Sequence, residues 1–203
     1  HKWIDENGNE HEATRGASHD IKSEFVIDSN KSGSYNARTK EITWRVITNY
    51  RQEKLVDASI VDTIQVPQEY VTGSAKLVEV SINPDGSITF GDEVLNADIK
   101  EPNGADKTVV VNLPEGSIKT YALIFNTSLK DHVIKNPYVN KALYTNDGRE
   151  QEITARVSVA NEGNHLEKQS KLKETNRITW ELMINKSQST IKDLVIEDNP
   201  SNN

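Results

Sequence analysis

The chain has 203 residues, of which 34% are hydrophobic and 27% charged, and its formal net charge is −7. Its basic residues are scattered, so no nucleic-acid partner is expected, and no run approaches the roughly 20 apolar residues of a membrane span. Cysteine is absent, which excludes disulfides and cysteine-based metal sites. Neither a signal peptide nor a wall-sorting segment is recognisable, so we expect a part of a longer product.

The first segment, residues 1–19, is polar and rich in turn residues. Four of its residues recur at an offset of 140: Gly8, Glu10, Glu12 and Thr14 return as Gly148, Glu150, Glu152 and Thr154. We therefore interpret residues 1–19 as the trailing hairpin or linker of a preceding repeat. The stretch DENGNEHE at residues 5–12 resembles a calcium loop only loosely, because the regular acidic spacing is missing, and no metal site is predicted.

Residues 20–148 are predicted to form a complete β-sandwich module. Short β-branched segments such as EITWRVITN, DASIVDTIQV, KTVVVNL and TYALIFNTSL are separated by turn signals. The turn sequences include NPDG at residues 83–86 and NDG at residues 146–148. No window has the 3.6-residue apolar period of a helix. Many short strands at regular spacing predict an all-β fold of two antiparallel sheets.

One phrase of this module returns near the end of the chain. TKEITWRVITN at residues 39–49 is followed, 136 residues later, by TNRITWELMIN at residues 175–185. Over the longer ungapped alignment of residues 39–62 with residues 175–198, nine of 24 positions are identical. This repetition predicts tandem copies of one module, with residues 149–203 as the N-terminal part of a second, truncated module. Trp44 and Trp180 lie mid-strand between apolar neighbours, so each is predicted to anchor a core.

No residue set indicates an enzyme or a cofactor. The five histidines, at positions 1, 11, 19, 132 and 165, form no HExxH or other ligand spacing. No glycine-rich phosphate loop and no G-x-S-x-G nucleophile motif is present. We therefore predict no enzymatic activity, no cofactor and no metal.

Four short motifs in a fixed order resemble one known family. NKSGSY at residues 30–35 precedes the Trp strand WRVITN, which is followed by IVDTI at residues 60–64 and by YVNKALY at residues 138–144. In this order they resemble the collagen-binding-type (Cna-like) adhesin domains of Gram-positive surface proteins. The resemblance covers about residues 20–145 and restarts near residue 150. It implies an immunoglobulin-like sandwich with Trp44 buried and Asp62 at or near the core.

The resemblance also implies an intramolecular isopeptide bond, because many such domains join an early-strand lysine to a late-strand asparagine beside an acidic residue. At the matching positions these are Lys31, Asn140 and Asp62, and Lys22 is the alternative nucleophile. The chemistry is coherent, since desolvation favours a neutral lysine that attacks and a protonated aspartate that polarises the amide. The second copy supplies Lys168, one residue out of register, and Asp198.

The function that the resemblance implies is a structural and adhesive repeat of a wall-anchored bacterial surface adhesin, located outside the cell. Its expected partners are neighbouring repeats of the same chain and an extracellular matrix protein. Direct binding of collagen is one possibility that the family name suggests. The alternative from another class is a carbohydrate-binding accessory module, which exposed aromatic residues on one sheet face would favour.

Overall fold

The computed structural model describes residues 2–12, 28–159, 161, 165–174 and 177–199. Lys22 lies outside these residues. Within them the regular secondary structure is entirely antiparallel β, and the strands in chain order are β1 (Lys2–Ile4), β2 (Glu10–Glu12), β3 (Ser29–Asn36), β4 (Glu41–Thr48), β5 (Ser59–Thr63), β6 (Glu69–Tyr70), β7 (Lys76–Ile82), β8 (Ile88–Glu93), β9 (Asp98–Lys100), β10 (Thr108–Asn112), β11 (Thr120–Ser128), β12 (Tyr138–Asn146), β13 (Arg149–Val157), β14 (Leu166–Glu174) and β15 (Arg177–Ile184). No helix in the described ranges is long and apolar enough to cross a membrane.

Strands β3 to β13 form two facing sheets, which we call the first sandwich. One sheet has the strand order β3-β4-β11-β7-β8, with β6 on the end of β11, and the other has the order β13-β12-β5-β10-β9. Inward side chains of both sheets build one hydrophobic core. The predicted all-β sandwich is therefore confirmed.

The Trp44 ring lies at the centre of this core and is fully buried. Its indole Nε1 donates hydrogen bonds to Gln68 Oε1 at 3.1 Å and to Thr127 Oγ1 at 3.0 Å. A buried indole N–H needs such partners, because an unpaired donor inside a protein costs about 1–3 kcal/mol. The prediction of a core anchor is confirmed for Trp44.

Gly33 on β3 is required by close packing. A Cβ at this position would lie 2.5 Å from Val157 Cγ2 and 2.7 Å from the Trp44 ring. The glycine of the K-x-G motif therefore lets β3 approach both the central tryptophan and β13.

Strand β13 belongs to the first sandwich. It pairs with β12 along its whole length, from Tyr138 opposite Val157 to Asn146 opposite Arg149. Its inward residues Ile153, Ala155 and Val157 are buried in the shared core. The predicted division after residue 148 thus falls in the tight turn between two paired strands.

Two smaller hairpins flank the first sandwich in sequence. β1 and β2 pair with each other, from Lys2 opposite Glu12 to Ile4 opposite Glu10, within the segment predicted to be a trailing hairpin. β14 and β15 form a separate two-stranded sheet. We call the described residues from 165 to 199 the second copy, because the sequence around β15 repeats the sequence around β4.

The apolar face of β15 is open. Ile178, Trp180, Leu182 and Ile184 correspond to inward residues of β4, yet all four are exposed, and Trp180 is 53% accessible. The prediction that Trp180 anchors a core is wrong for this structure, because no second sheet covers the hairpin in the described part of the chain.

Candidate crosslink site

Three strands bring the predicted crosslink residues together. Lys31 lies on β3 and points inward, as the alternating burial of that strand requires. Asp62 lies on β5 in the facing sheet, and Asn140 lies on the neighbouring β12. Since Ala142 is directly opposite Asp62, Asn140 is the diagonal neighbour of Asp62 on the same inward face. The lysine thus faces the aspartate and the asparagine across the two sheets.

The site is closed to solvent. The side chains of Lys31 and Asp62 have no accessible surface, and Asn140 is fully buried. The Lys31 ammonium group or amine donates a hydrogen bond to Asp62 Oδ2. Removal of one member would leave a buried polar group without its partner, which is costly.

Aromatic rings enclose the lysine nitrogen. Lys31 Nζ lies 5.6 Å from the ring centroids of both Trp44 and Phe125. A cation–π attraction of about 0.5–2 kcal/mol would favour the ammonium form. This gain is small against the several kcal/mol that burial of an ion costs. The surroundings therefore favour a neutral amine.

The shifts of the two pKa values have the same main cause. Burial lowers the pKa of Lys31, and the nearby Asp62 carboxylate opposes this effect only in part. Burial likewise raises the pKa of Asp62, against the lowering effects of Lys31 and of the Asn140 amide. Both groups are pushed towards their uncharged forms, which are a nucleophilic amine and a carboxylic acid.

The Asn140 side chain is held at its oxygen and free at its nitrogen. Its Oδ1 accepts a hydrogen bond from the backbone N–H of Lys141 at 2.8 Å. Its Nδ2 is buried and meets no hydrogen-bond partner at normal distance, and the same holds for Asp62 Oδ1.

The second copy repeats part of this constellation in an open form. Lys168 Nζ lies 2.5 Å from Asp198 Oδ1 and 4.6 Å from the ring centroid of Trp180. The two side chains are 36% and 44% exposed, so water reaches both of them.

Strand pairing removes the register shift of one residue between the copies. Lys31 lies opposite Val46 in the first sandwich, and Lys168 lies opposite Leu182, which is the counterpart of Val46. Lys168 is therefore the structural equivalent of Lys31.

Phe125 is the site residue that sequence reasoning missed. It comes from TYALIFNTSL, a strand with no motif, and it reaches Lys31 only because β11 pairs with β4 and places Phe125 opposite Trp44. The sequence marks Phe125 only as one of the alternating apolar residues of a strand. Every core strand has such residues, so this pattern does not identify a contact with Lys31.

The family model described as "Collagen binding domain" matches residues 27–154, more than half of the chain. The chain belongs to the collagen-binding domain family. This family is one of adhesin binding domains and not of enzymes. No curated protein matches the chain.

Solved structures of the same kind are similar to the chain at low sequence identity. The collagen-binding domain of a Staphylococcus aureus adhesin is 17% identical, with a TM-score of 0.48, and the match covers 65% of this chain and 97% of that one. ACE19, the collagen-binding subdomain of the Enterococcus faecalis surface protein ACE, is 11% identical, with a TM-score of 0.48 and coverages of 70% and 99%. The collagen adhesin CNA of S. aureus is 16% identical, with a TM-score of 0.48 and coverages of 86% and 55%.

Among the described residues no group of three or more His, Asp or Glu side chains is arranged to hold a metal ion.

Proposed function

We propose that the chain is a structural and adhesive repeat of a wall-anchored bacterial surface adhesin, and that Lys31 and Asn140 join in an intramolecular isopeptide bond. The family match supports the adhesive role. The buried contact between Lys31 and Asp62 beside Asn140 is the observation that carries the crosslink.

The reaction is a transfer of the Asn140 acyl group from nitrogen to nitrogen. The uncharged Lys31 Nζ attacks Asn140 Cγ, and the protonated Asp62 carboxyl polarises the amide through its oxygen. The C–Nδ2 bond breaks, and the leaving nitrogen takes a proton that Lys31 gives up, with Asp62 as the carrier. One ammonia leaves, a secondary amide remains, and Asp62 ends as it began.

The fold supplies two favourable terms for this step. It holds the amine and the amide in one buried place, so the reaction is intramolecular and has a large effective concentration. It also leaves Asn140 Nδ2 without a partner, and the loss of ammonia removes that unsatisfied donor. Because the bond forms once and does not turn over, the protein does not thereby become an enzyme.

The bond would connect the two sheets of the first sandwich. Lys31 lies on the first strand of one sheet, and Asn140 lies on β12 of the other. A covalent tie between these strands resists their separation under tension, which suits a repeat that links a cell to a surface.

The intact mass of the purified protein tests the crosslink. We expect the mass to fall below the sequence mass by one ammonia. Asp62→Asn, which keeps the size and removes the acid, should restore the full mass. A wild-type mass equal to the sequence mass would contradict the bond.

Collagen or another matrix protein is the ligand class that we propose for the adhesive role. The family name supports this, and the similar domains from S. aureus and E. faecalis are described as collagen-binding. The carbohydrate-binding alternative is not favoured by these findings. Binding to immobilised collagens, with a glycan panel as the control, tests the proposal, and binding to glycans alone would reverse it.

We further propose that residues 165–199 are the opening part of a second module. The turn after β15 supports this, since Asn185, Gln188 and Asp193 have the positive φ values of their counterparts Asn49, Gln52 and Asp57. The parent protein would then carry these modules in tandem.

A further inference from the structure

The turn that follows β15 contacts the first sandwich. The backbone N–H of Ile134 donates a hydrogen bond to Ser189 Oγ at 2.9 Å. The backbone N–H of Thr190 donates to the His132 carbonyl at 3.2 Å. His132 and Ile134 lie in the loop between β11 and β12, so the two bonds join the second copy to one end of the first sandwich in both directions.

The contact buries polar side chains in an otherwise open segment. Ser187 and Ser189 are each only 4% exposed, and their hydroxyl groups lie 2.9 Å apart. The apolar face of the adjacent β15, by contrast, is open to solvent. The covered part of the second copy is therefore the turn and not the strand face.

The first copy has the same turn with different outer residues. Asn49 Oδ1 accepts from the N–H of Glu53 at 3.0 Å, as Asn185 Oδ1 accepts from the N–H of Ser189 at 2.9 Å. The N–H of Gln52 and of its counterpart Gln188 each donates to the carbonyl of the turn asparagine. The backbone of the turn is therefore a property of the repeat and does not depend on docking.

At the two positions that dock in the second copy, the first copy carries charges. Arg51 stands in place of Ser187 and is exposed, and Glu53 stands in place of Ser189 and binds Arg149 at 2.6 Å. Burial of an unpaired guanidinium or carboxylate costs several kcal/mol, whereas a hydroxyl that finds a hydrogen bond costs little. Small neutral residues are thus present where the turn meets a neighbour, and charged residues are present where it meets water.

We propose that the turn Asn185–Thr190 is a docking element, and that it seats the second copy on the His132–Ile134 loop as a fixed joint between consecutive repeats. The partner surface is the loop of the preceding repeat in the same chain. Ser189 supplies the acceptor, Thr190 supplies the donor, and Ser187 fills the contact without adding charge. This joint rests on the proposal of tandem repeats but not on the Lys31–Asn140 bond.

Amide hydrogen exchange on the full chain, resolved by residue, tests the joint. Both interface amides, Ile134 and Thr190, should be protected in the wild type. The double substitution Ser187→Arg with Ser189→Glu places the residues of the first copy in the docking turn. We expect this double substitution to lower the protection factors of both interface amides by roughly tenfold. This is the size expected when an amide loses the hydrogen bond that protects it from exchange.

Two controls separate loss of docking from loss of folding. The Gln188 amide bonds within the turn, so it should keep its protection in the double variant. The reciprocal change, Arg51→Ser with Glu53→Ser, should leave Ile134 and Thr190 as in the wild type. Unprotected interface amides in the wild type, or unchanged protection in the double variant, would overturn the proposal. A chain that lacks the isopeptide bond, and therefore has the full sequence mass, can still show protected amides at Ile134 and Thr190. The result of the exchange experiment is therefore independent of the crosslink.

Discussion

The two copies carry the same lysine, aspartate and tryptophan in two different environments. In the first copy Lys31 and Asp62 have no accessible surface, and burial lowers the pKa of the lysine and raises that of the acid. In the second copy Lys168 and Asp198 touch at 2.5 Å but remain partly in water. The same residue types are therefore closed to solvent only where a second sheet covers them.

Both copies contain the lysine–aspartate pair, and the difference between them is burial. An exposed lysine–aspartate pair is worth about 0–1 kcal/mol, because water and salt screen it. Water reaches both side chains of the Lys168–Asp198 pair, so the described part of the second copy offers no closed site and we expect no bond at Lys168. Each prediction below changes one member of a matched pair of positions, one in each copy.

The largest expected effect follows from loss of the crosslink. The proposed bond would close a loop from residue 31 to residue 140, so on the chain-entropy model Lys31→Ala should lower the free energy of unfolding by roughly 4–5 kcal/mol. The variant should also regain the full sequence mass. Denaturant unfolding and intact mass measure the two effects.

Lys168→Ala is the matched control for this change. It should leave the ammonia deficit in place and cost no more than about 1 kcal/mol, because Lys168 is solvated. A deficit that survives Lys31→Ala would contradict the site and point to another lysine, such as Lys22.

The second prediction compares the two tryptophans. Trp44→Ala removes a fully buried ring and two hydrogen bonds, so it should cost about 3–5 kcal/mol in unfolding free energy. Trp180→Ala removes a ring that is more than half exposed and should cost well below half of that. Equal losses, measured by denaturant unfolding, would mean that the second copy has a closed core.

The third prediction uses Gly33 and its counterpart. Ser170 lies opposite Trp180 as Gly33 lies opposite Trp44, so the second copy already carries a side chain at this position. Gly33→Ser would push its Cβ against Val157 and the Trp44 ring, and overpacking of this kind costs about 1–3 kcal/mol. Ser170→Gly should change stability by less. Thermal unfolding of both variants measures the difference, and a harmless Gly33→Ser would show that β13 does not close over β3.

The family resemblance, carried by short motifs, implied Lys31, Asp62 and Asn140 as one set, and of these three only Asp62 was expected at or near the core. The enclosing Phe125 and the extent of β13 depend on which strands become neighbours, and no local pattern records that. The correspondence between Lys168 and Lys31 could be seen only from the strand pairing that places Lys168 opposite Leu182. The burial of Ser187 and Ser189 could not be predicted from the sequence, since serine is common in exposed turns.

The last expected effect is a change in the pH dependence of stability, of at most about 1.4 kcal/mol for each pH unit. Between the ordinary pKa values of 3.8 for aspartate and 10.5 for lysine, the unfolded chain holds one proton on these two groups. Before the proposed bond forms, the folded Lys31–Asp62 pair holds one proton as well, whether as an ion pair or as two neutral groups. Since both states bind the same number of protons, the pair contributes no slope at neutral pH.

Asp62→Asn should create a slope by leaving Lys31 buried without its acid. Asp62 was raising the lysine pKa, so its loss lets burial lower that pKa further, and the folded state then binds fewer protons than the unfolded state below pH 10.5. Stability should therefore rise with pH, by up to about 1.4 kcal/mol per unit, as the native lysine sheds its proton. Asp198→Asn is the matched control, because water reaches both side chains of the Lys168–Asp198 pair. Denaturant midpoints at several pH values between 6 and 9 measure both variants. A flat profile for Asp62→Asn would mean that Lys31 finds another partner or reaches solvent. The closed environment of Lys31 would then no longer distinguish the first copy from the second.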